Sequence, residues 1–347
     1  MPLLLDLVVE LVECVIYFAA DEFDADRDWY RMKFGTLRLN RNSTLATLNR
    51  TCKALRELTT RRLYAEPRAL GTRAWLLART LVTCPHLAQL VTSLDLSQFK
   101  SGGRIVGAPP ELVEYYSQKM EQAKSIENTP HDNCNGAVSP PTTPDPPGRL
   151  PYYLLSGLCP NLESLFCENW GCLPGINYFW APDSMMRLKK FSLDLEVCPG
   201  TGRQHWHCLH DAWADSALLR AAPNIEELSF SSCFGRAYKF QFSMPKVKVL
   251  HYTKSVFLVE ELVATLVSLP NLEELGIDVT EKSIFTNFTL PDATRAILTH
   301  GANMKKVSLS MRKWSRARLC ANEEQVQLAE AEFASRGIEF SFRTTDW

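Results

Sequence analysis

Pro270-Asn271-Leu272-Glu273-Glu274-Leu275 decides the fold, because the chain repeats it. Pro160-Asn161-Leu162-Glu163-Ser164-Leu165 and Pro223-Asn224-Ile225-Glu226-Glu227-Leu228 are close copies. Pro85-His86-Leu87, Pro245-Lys246-Val247-Lys248-Val249-Leu250 and Asn303-Met304-Lys305-Lys306-Val307 are looser ones. A phrase that recurs along a chain marks a recurring structural unit. Each copy leads into a short alternating run, such as Leu275-Gly276-Ile277-Asp278-Val279 or Leu228-Ser229-Phe230-Ser231. Period-two alternation predicts a strand with one buried and one exposed face. Upstream of the phrase lies helical spacing, clearest at Val259, Leu262, Val263, Leu266 and Val267, which predicts one apolar stripe. The unit is therefore helix, Pro-containing turn, short strand.

Neither piece buries its apolar face alone, so successive units must stack, with strands parallel on one side and helices on the other. The equivalent strand positions are Leu165, Phe191, Leu228, Leu250, Leu275, Val307 and Phe340, spaced unevenly by 22 to 37 residues. The fold class expected is α/β, an irregular leucine-rich-repeat solenoid with strands on its concave side and helices on its convex side.

Composition narrows the function. A net charge of -1 over 347 residues, with no pronounced basic stripe, argues against a nucleic-acid partner held by phosphate neutralisation. Eleven cysteines, an odd number without framework spacing, read as reduced buried thiols of an intracellular protein. The apolar N-terminus is interrupted by Asp6, Glu10 and Glu13 with no basic residues before it, which argues against a signal peptide. No run is long enough to span a membrane. A nuclear or cytoplasmic location is expected.

Ahead of the repeats, residues 2 to 18 read as a mostly apolar helix opened by Pro2. An acidic inserted loop follows between Asp21 and Asn42, and Ser43 is a plausible N-cap. Leu45, Leu48, Cys52, Leu55 and Leu58 then predict two helices broken near Thr51. The Pro- and Leu-rich start, the run Leu45-Ala46-Thr47-Leu48-Asn49-Arg50-Thr51-Cys52-Lys53-Ala54-Leu55-Arg56 and the ensuing Leu63-Tyr64 resemble an F-box domain. With its repeats, the chain is similar over almost its whole length to fungal-type F-box and leucine-rich-repeat proteins. That resemblance implies an F-box-like domain over 1–68 and a solenoid over 69–347. It also implies a substrate-recognition subunit of a cullin-RING (SCF-type) ubiquitin ligase in the Ubl conjugation pathway. Pro2, Leu3, Leu5, Leu45, Leu48 and Leu55 would meet the Skp-type adaptor that joins the cullin, and the repeats would hold a protein target. On this reading the protein is no enzyme and takes no cofactor. The alternative is a repeat scaffold whose helical segment caps the stack and binds no adaptor.

Between the first repeat, with its helix over 73–83 and strand over 93–97, and the remainder lies an insertion at about 98–149. Glu111 to Ile126 predicts one helix within it. Asn128 to Gly148, holding Pro130, Pro140, Pro141, Pro144, Pro146 and Pro147, has the composition of a disordered tract. Gly102, Gly103 and Gly107 read as turn residues of a polar loop. His205-Trp206-His207-Cys208-Leu209-His210 is the densest group of potential ligands, yet its spacing fits neither zinc-finger nor metalloprotease schemes, so no metal is expected. At the far end Glu323 to Ser335 predicts the last helix, Gly337 its stop, and Glu339 to Arg343 the last strand.

What remains is the open side of the strands. Alternation assigns to it Ser164, Phe166, Glu168, Lys190, Ser192, Glu227, Ser229, His251, Glu274, Asp278, Lys306 and Ser308, which form the candidate target-binding surface, with Trp170 nearby as a possible anchor. Acidic members outnumber basic ones, which favours a basic target segment.

Overall fold

A computed structural model of the chain describes residues 45–51, 53–67, 74–96, 104–106, 110–127, 149–168, 183–194, 218–231, 243–255, 258–279, 289–312 and 323–345. After a helical turn at 45–49 come α1 (Lys53–Ala65), α2 (Ala74–Thr83), the single-turn α3 (Pro85–Ala88), β1 (Ser93–Asp95), β2 (Arg104–Val106), α4 (Pro110–Glu127) and β3 (Arg149–Pro151). A 3-10 helix (Tyr152–Leu158) leads into β4 (Ser164–Glu168), followed by β5 (Lys190–Asp194), β6 (Glu227–Ser231) and β7 (Val249–Ser255). The chain then runs through α5 (Val259–Ser268), β8 (Glu274–Val279), α6 (Leu290–His300), β9 (Lys306–Arg312), α7 (Glu323–Ser335) and β10 (Glu339–Thr345).

Eight of the strands form one all-parallel sheet in the order β1-β4-β5-β6-β7-β8-β9-β10, and the sheet does not close into a barrel. Its register puts Leu94, Leu165, Phe191, Leu228, Leu250, Leu275, Val307 and Phe340 on one row, so the positions equated from sequence are neighbours in space. The repeated phrase has a local cause. Three residues before that row, Leu162, Leu188, Ile225, Val247, Leu272 and Met304 are each at most 6% exposed and fill the turn. The asparagine just ahead of it reaches back to the previous unit. Asn161 Nδ2 donates to Gln89 O at 2.7 Å, Asn224 to Met186 O at 2.8 Å, Asn271 to Pro245 O at 2.8 Å and Asn303 to Pro270 O at 3.0 Å. Backbone carbonyls at each strand start do the same work in the opposite direction. Glu163 O accepts from the N–H groups of Lys189 and Lys190, and Lys189 O, Glu226 O, Lys248 O and Glu273 O each accept two in the same way. Replacing Asn271 by Ala is expected to cost about 1 kcal/mol, the net worth of such a bond, measurable as a shift in denaturation midpoint.

The strand residues between the exposed ones form, with the helices, a single core in which Phe191, Tyr252 and Phe333 are the largest side chains. Helix α5 packs on α6 and α6 on α7. Thr289 caps α6 by accepting from Asp292 N–H at 3.2 Å, with Pro291 in the first turn where no donor is needed. Gly337, at φ +71°, closes α7 in the left-handed conformation, with Ile338 N–H donating to Phe333 O at 3.0 Å and Gly337 N–H to Ala334 O at 2.9 Å. The stripe read on α5 needs one correction, because Val267 is 62% exposed. Its buried face is centred on Glu261, Leu262, Thr265 and Leu266, and at 100° per residue Val267 falls on the far side of that centre. Glu261 is there because its Oε2 accepts from Leu258 N–H at 3.1 Å, satisfying a helix-start donor from within the core.

Among its described residues the insertion carries β2, α4 and the start of β3. β2 pairs antiparallel with β3, which closes its base, and Gly102, Gly103 and Gly107, read as turn residues, lie outside the described residues. α4 packs on α2 and buries Leu112 completely, making it part of the core. Pro85, read as a turn, starts a helical turn instead, being at a first-turn position. The first strand is shorter than expected and ends at Asp95, and the last runs on to Thr345. The predicted N-terminal helix, the acidic loop, the Ser43 cap, the proline-rich tract at 128–148, Trp170 and the His205–His210 group lie outside the described residues. Among the described residues no helix is long and apolar enough to cross a membrane.

Candidate protein-interaction face

The strand register sets three rows of residues at the alternate positions left over by the core. The first is Ser93, Ser164, Lys190, Glu227, Val249, Glu274, Lys306 and Glu339. The second is Asp95, Phe166, Ser192, Ser229, His251, Gly276, Ser308 and Ser341. The third joins Glu168, Asp194 and Ser231 on one side to Asp278, Ser310 and Arg343 on the other, interrupted where the pairing of β7 with β8 shifts between Tyr252 and Ser255. All twelve residues assigned to this surface from sequence lie on these rows.

Charges in the first row are matched across strands. Lys190 Nζ lies 2.6 Å from Glu227 Oε2, and Lys306 Nζ lies 3.0 Å from Glu274 Oε1. The Glu274 carboxylate, chiefly through its hydrogen bond and then its charge, holds the Lys306 ammonium above its ordinary pKa. The same carboxylate lies 4.0 Å from His251 Nε2. In the second row the His251 ring lies over Gly276, where a Cβ would stand 2.3 Å from Nδ1. Glycine here makes room for the imidazole, a demand that the sequence does not show. Ser341 Oγ donates to Ser308 Oγ at 3.0 Å, and Ser310 Oγ to Asp278 Oδ1 at 2.7 Å.

This pairing changes the charge balance read from sequence. Lysines answer Glu227 and Glu274, so the acidic surplus shifts to the strand C-terminal ends, where Glu168, Asp194 and Asp278 stand. Just outside the sheet a further ladder alternates in sign through Glu163, Lys189, Glu226, Lys248, Glu273 and Lys305, with Lys248 3.8 Å from Glu226 and Lys305 2.7 Å from Glu273. Lys305, by its hydrogen bond first, holds the Glu273 carboxyl below its ordinary pKa. Glu226, Lys246, Lys248, Asn271, Glu273 and Asn303 line an open groove of about 430 Å³ along this ladder. Among the described residues no group of three or more His, Cys, Asp or Glu side chains is placed to hold a metal ion.

The helical segment contributes a second, small cluster. Leu45 and Leu55 are 0% and 7% exposed, with Leu48, Leu58 and Leu63 packed against them. Two of the leucines read as adaptor contacts therefore hold this segment together, while Leu48 is half-buried. Pro2, Leu3 and Leu5 lie outside the described residues. The break between the two short helices falls at Arg50 and Thr51, as the spacing predicts, and Asn49 Nδ2 bridges it by donating to Thr60 Oγ1 at 2.7 Å. The segment is tied to the sheet through Ala65 O, which accepts from Thr92 N–H at 2.9 Å and Thr92 Oγ1 at 3.2 Å.

No protein-family model matches the chain, and no curated protein matches it.

Proposed function

We propose that the chain is an irregular leucine-rich-repeat solenoid preceded by an F-box-like helical domain, over 69–347 and 1–68. It serves as the substrate-recognition subunit of a cullin-RING ubiquitin ligase, inside the cell. The observation that carries the binding role is the open sheet face, a registered array of hydroxyls and matched charges with no apolar layer over it among the described residues. The helical segment with its own apolar cluster supports a separate docking part. Catalysis belongs to other subunits: the receptor raises the effective concentration of target lysines near the charged enzyme. A basic target segment is favoured along the strand ends bearing Glu168, Asp194 and Asp278, by charge complementarity that acts mostly on association rate and partner choice.

The experiment is co-purification of the full chain with the Skp-type adaptor and cullin, which the ligase reading requires. One observation favours a second reading. Ala65 O takes the place of a preceding unit's carbonyl for Thr92, so the helical segment also works as an end cap of the sheet, the role it has in a scaffold without ubiquitin-ligase association. Failure to capture the adaptor selects that reading. Reversing Glu227 and Glu274 to Lys together is expected to weaken capture of co-purifying targets about tenfold, with adaptor capture unchanged; equal loss of both would mean the fold has been damaged.

A further inference from the structure

We propose that the outer edge of β10 is a self-pairing surface, at which two copies of the chain join antiparallel about Ser341. β10 is the last strand in the sheet order, and among the described residues no strand pairs with its far side. It is 7 residues long, as long as β7 and β9, and keeps an unbroken register with β9 from Glu339 to Thr345. It contains neither proline nor bulge, two of the devices that blunt an edge. The opposite edge differs, since β1 has 3 residues and is preceded by the Ala65–Thr92 tie to the helical segment.

Backbone direction restricts which copies can pair. Glu339 N–H donates inward to Lys305 O at 2.8 Å. By strand alternation Glu339, Ser341 and Arg343 turn their N–H and C=O groups to β9, and Phe340, Phe342 and Thr344 turn theirs outward. An antiparallel copy must set outward residues opposite outward residues. A two-fold axis at Ser341 does so, placing Phe340 opposite the partner's Phe342 and Phe342 opposite the partner's Phe340, each pair exchanging two hydrogen bonds.

Side-chain chemistry selects that register. It sets Glu339 opposite the partner's Arg343, and Arg343 opposite the partner's Glu339, at the non-hydrogen-bonded positions where side chains approach most closely. Both are exposed on the open face. Shifting by two residues in either direction faces Glu339 with the partner's Ser341 or the partner's Thr345 and loses both ion pairs. On the helix side the half-buried Phe340 and Phe342 meet their counterparts. The new pairs also continue the matched charges of the sheet, in which Glu274 answers Lys306 at 3.0 Å and Glu339 is next in register to Lys306. Because the contact uses the same strand on both sides, it closes as a dimer and does not propagate.

Sedimentation and light scattering of the full chain over a concentration series test this. A monomer–dimer equilibrium is expected, weakened about tenfold or more by Glu339→Arg or by Arg343→Glu, each of which puts like charges at both symmetric positions. The double variant Glu339→Arg with Arg343→Glu restores the pairs with their signs exchanged, and so restores the dimer. A measurement without variants accompanies it: amide exchange at Phe340 and Phe342 slows as concentration rises, while Ser341, facing β9, is protected throughout. A chain that stays monomeric, forms a larger assembly, dimerises regardless of these charges, is not rescued by the double variant, or shows no concentration-dependent protection at Phe340 and Phe342 overturns the proposal.

Discussion

Phe333→Ala is expected to lower the unfolding free energy by about 3–5 kcal/mol, the range for truncating a fully buried phenylalanine. The ring is 0% exposed and stacks on Phe340, centroids 4.8 Å apart at 21° between planes. It is the side chain that fastens α7 to the last strand. The cavity would open against β10, which has a neighbouring strand only on its β9 side among the described residues, so Phe340 loses packing as well. Equilibrium denaturation measures the loss, and amide exchange should show β10 losing protection ahead of β4 to β8. A loss below about 1 kcal/mol would mean that the end of the core collapses to fill the space.

A second large effect concerns two buried thiols. Burial pushes the Cys159 thiol up to about 12, from an ordinary 9.0. Cys167, 2% exposed, is likewise raised, by burial first and by the nearby Asp95 charge second. At pH 8 the thiolate of Cys159 is then on the order of one part in ten thousand, and alkylation requires the thiolate. Iodoacetamide under native conditions should leave both unmodified on a timescale that labels them fully in denaturant, read by mass spectrometry. The sign for stability follows from the same shift. A thiol whose pKa is raised on folding contributes fully below 9.0, and this contribution is lost as pH rises from there toward about 12, by up to ~1.4 kcal/mol per unit for each thiol. Native labelling as fast as in the denatured chain would show that these units open readily.

The sheet was legible in the sequence because its determinants are local. Asn161, Asn224, Asn271 and Asn303 each meet a carbonyl of the preceding unit, so the phrase that binds units together is also the phrase that repeats. Phe191 could be placed on the same row without the phrase, from its alternation alone. The open face followed from that alternation too, but its internal pairing did not. Whether Lys190 reaches Glu227, or His251 lies over Gly276, depends on which strands are neighbours and in what register. β2 and β3 escaped notice because each has 3 residues and its partner lies across the proline-rich tract. Leu45 and Leu55 show a different limit, since a helical apolar period predicts that residues are covered without saying whether the cover comes from their own segment or from a partner.

The alternating ladder Glu163, Lys189, Glu226, Lys248, Glu273, Lys305 gives the array a parity. Excising the one unit that carries Lys248 would bring Glu226 beside Glu273, and the unit's own backbone acceptors would be replaced like for like while its charges would not. Removing two adjacent units restores opposite signs. Each exposed pair is worth only about 0.2–1 kcal/mol, so an odd deletion would still fold, but with repulsion along one seam. For this ladder, lengthening or shortening the sheet is therefore least costly in steps of two strands.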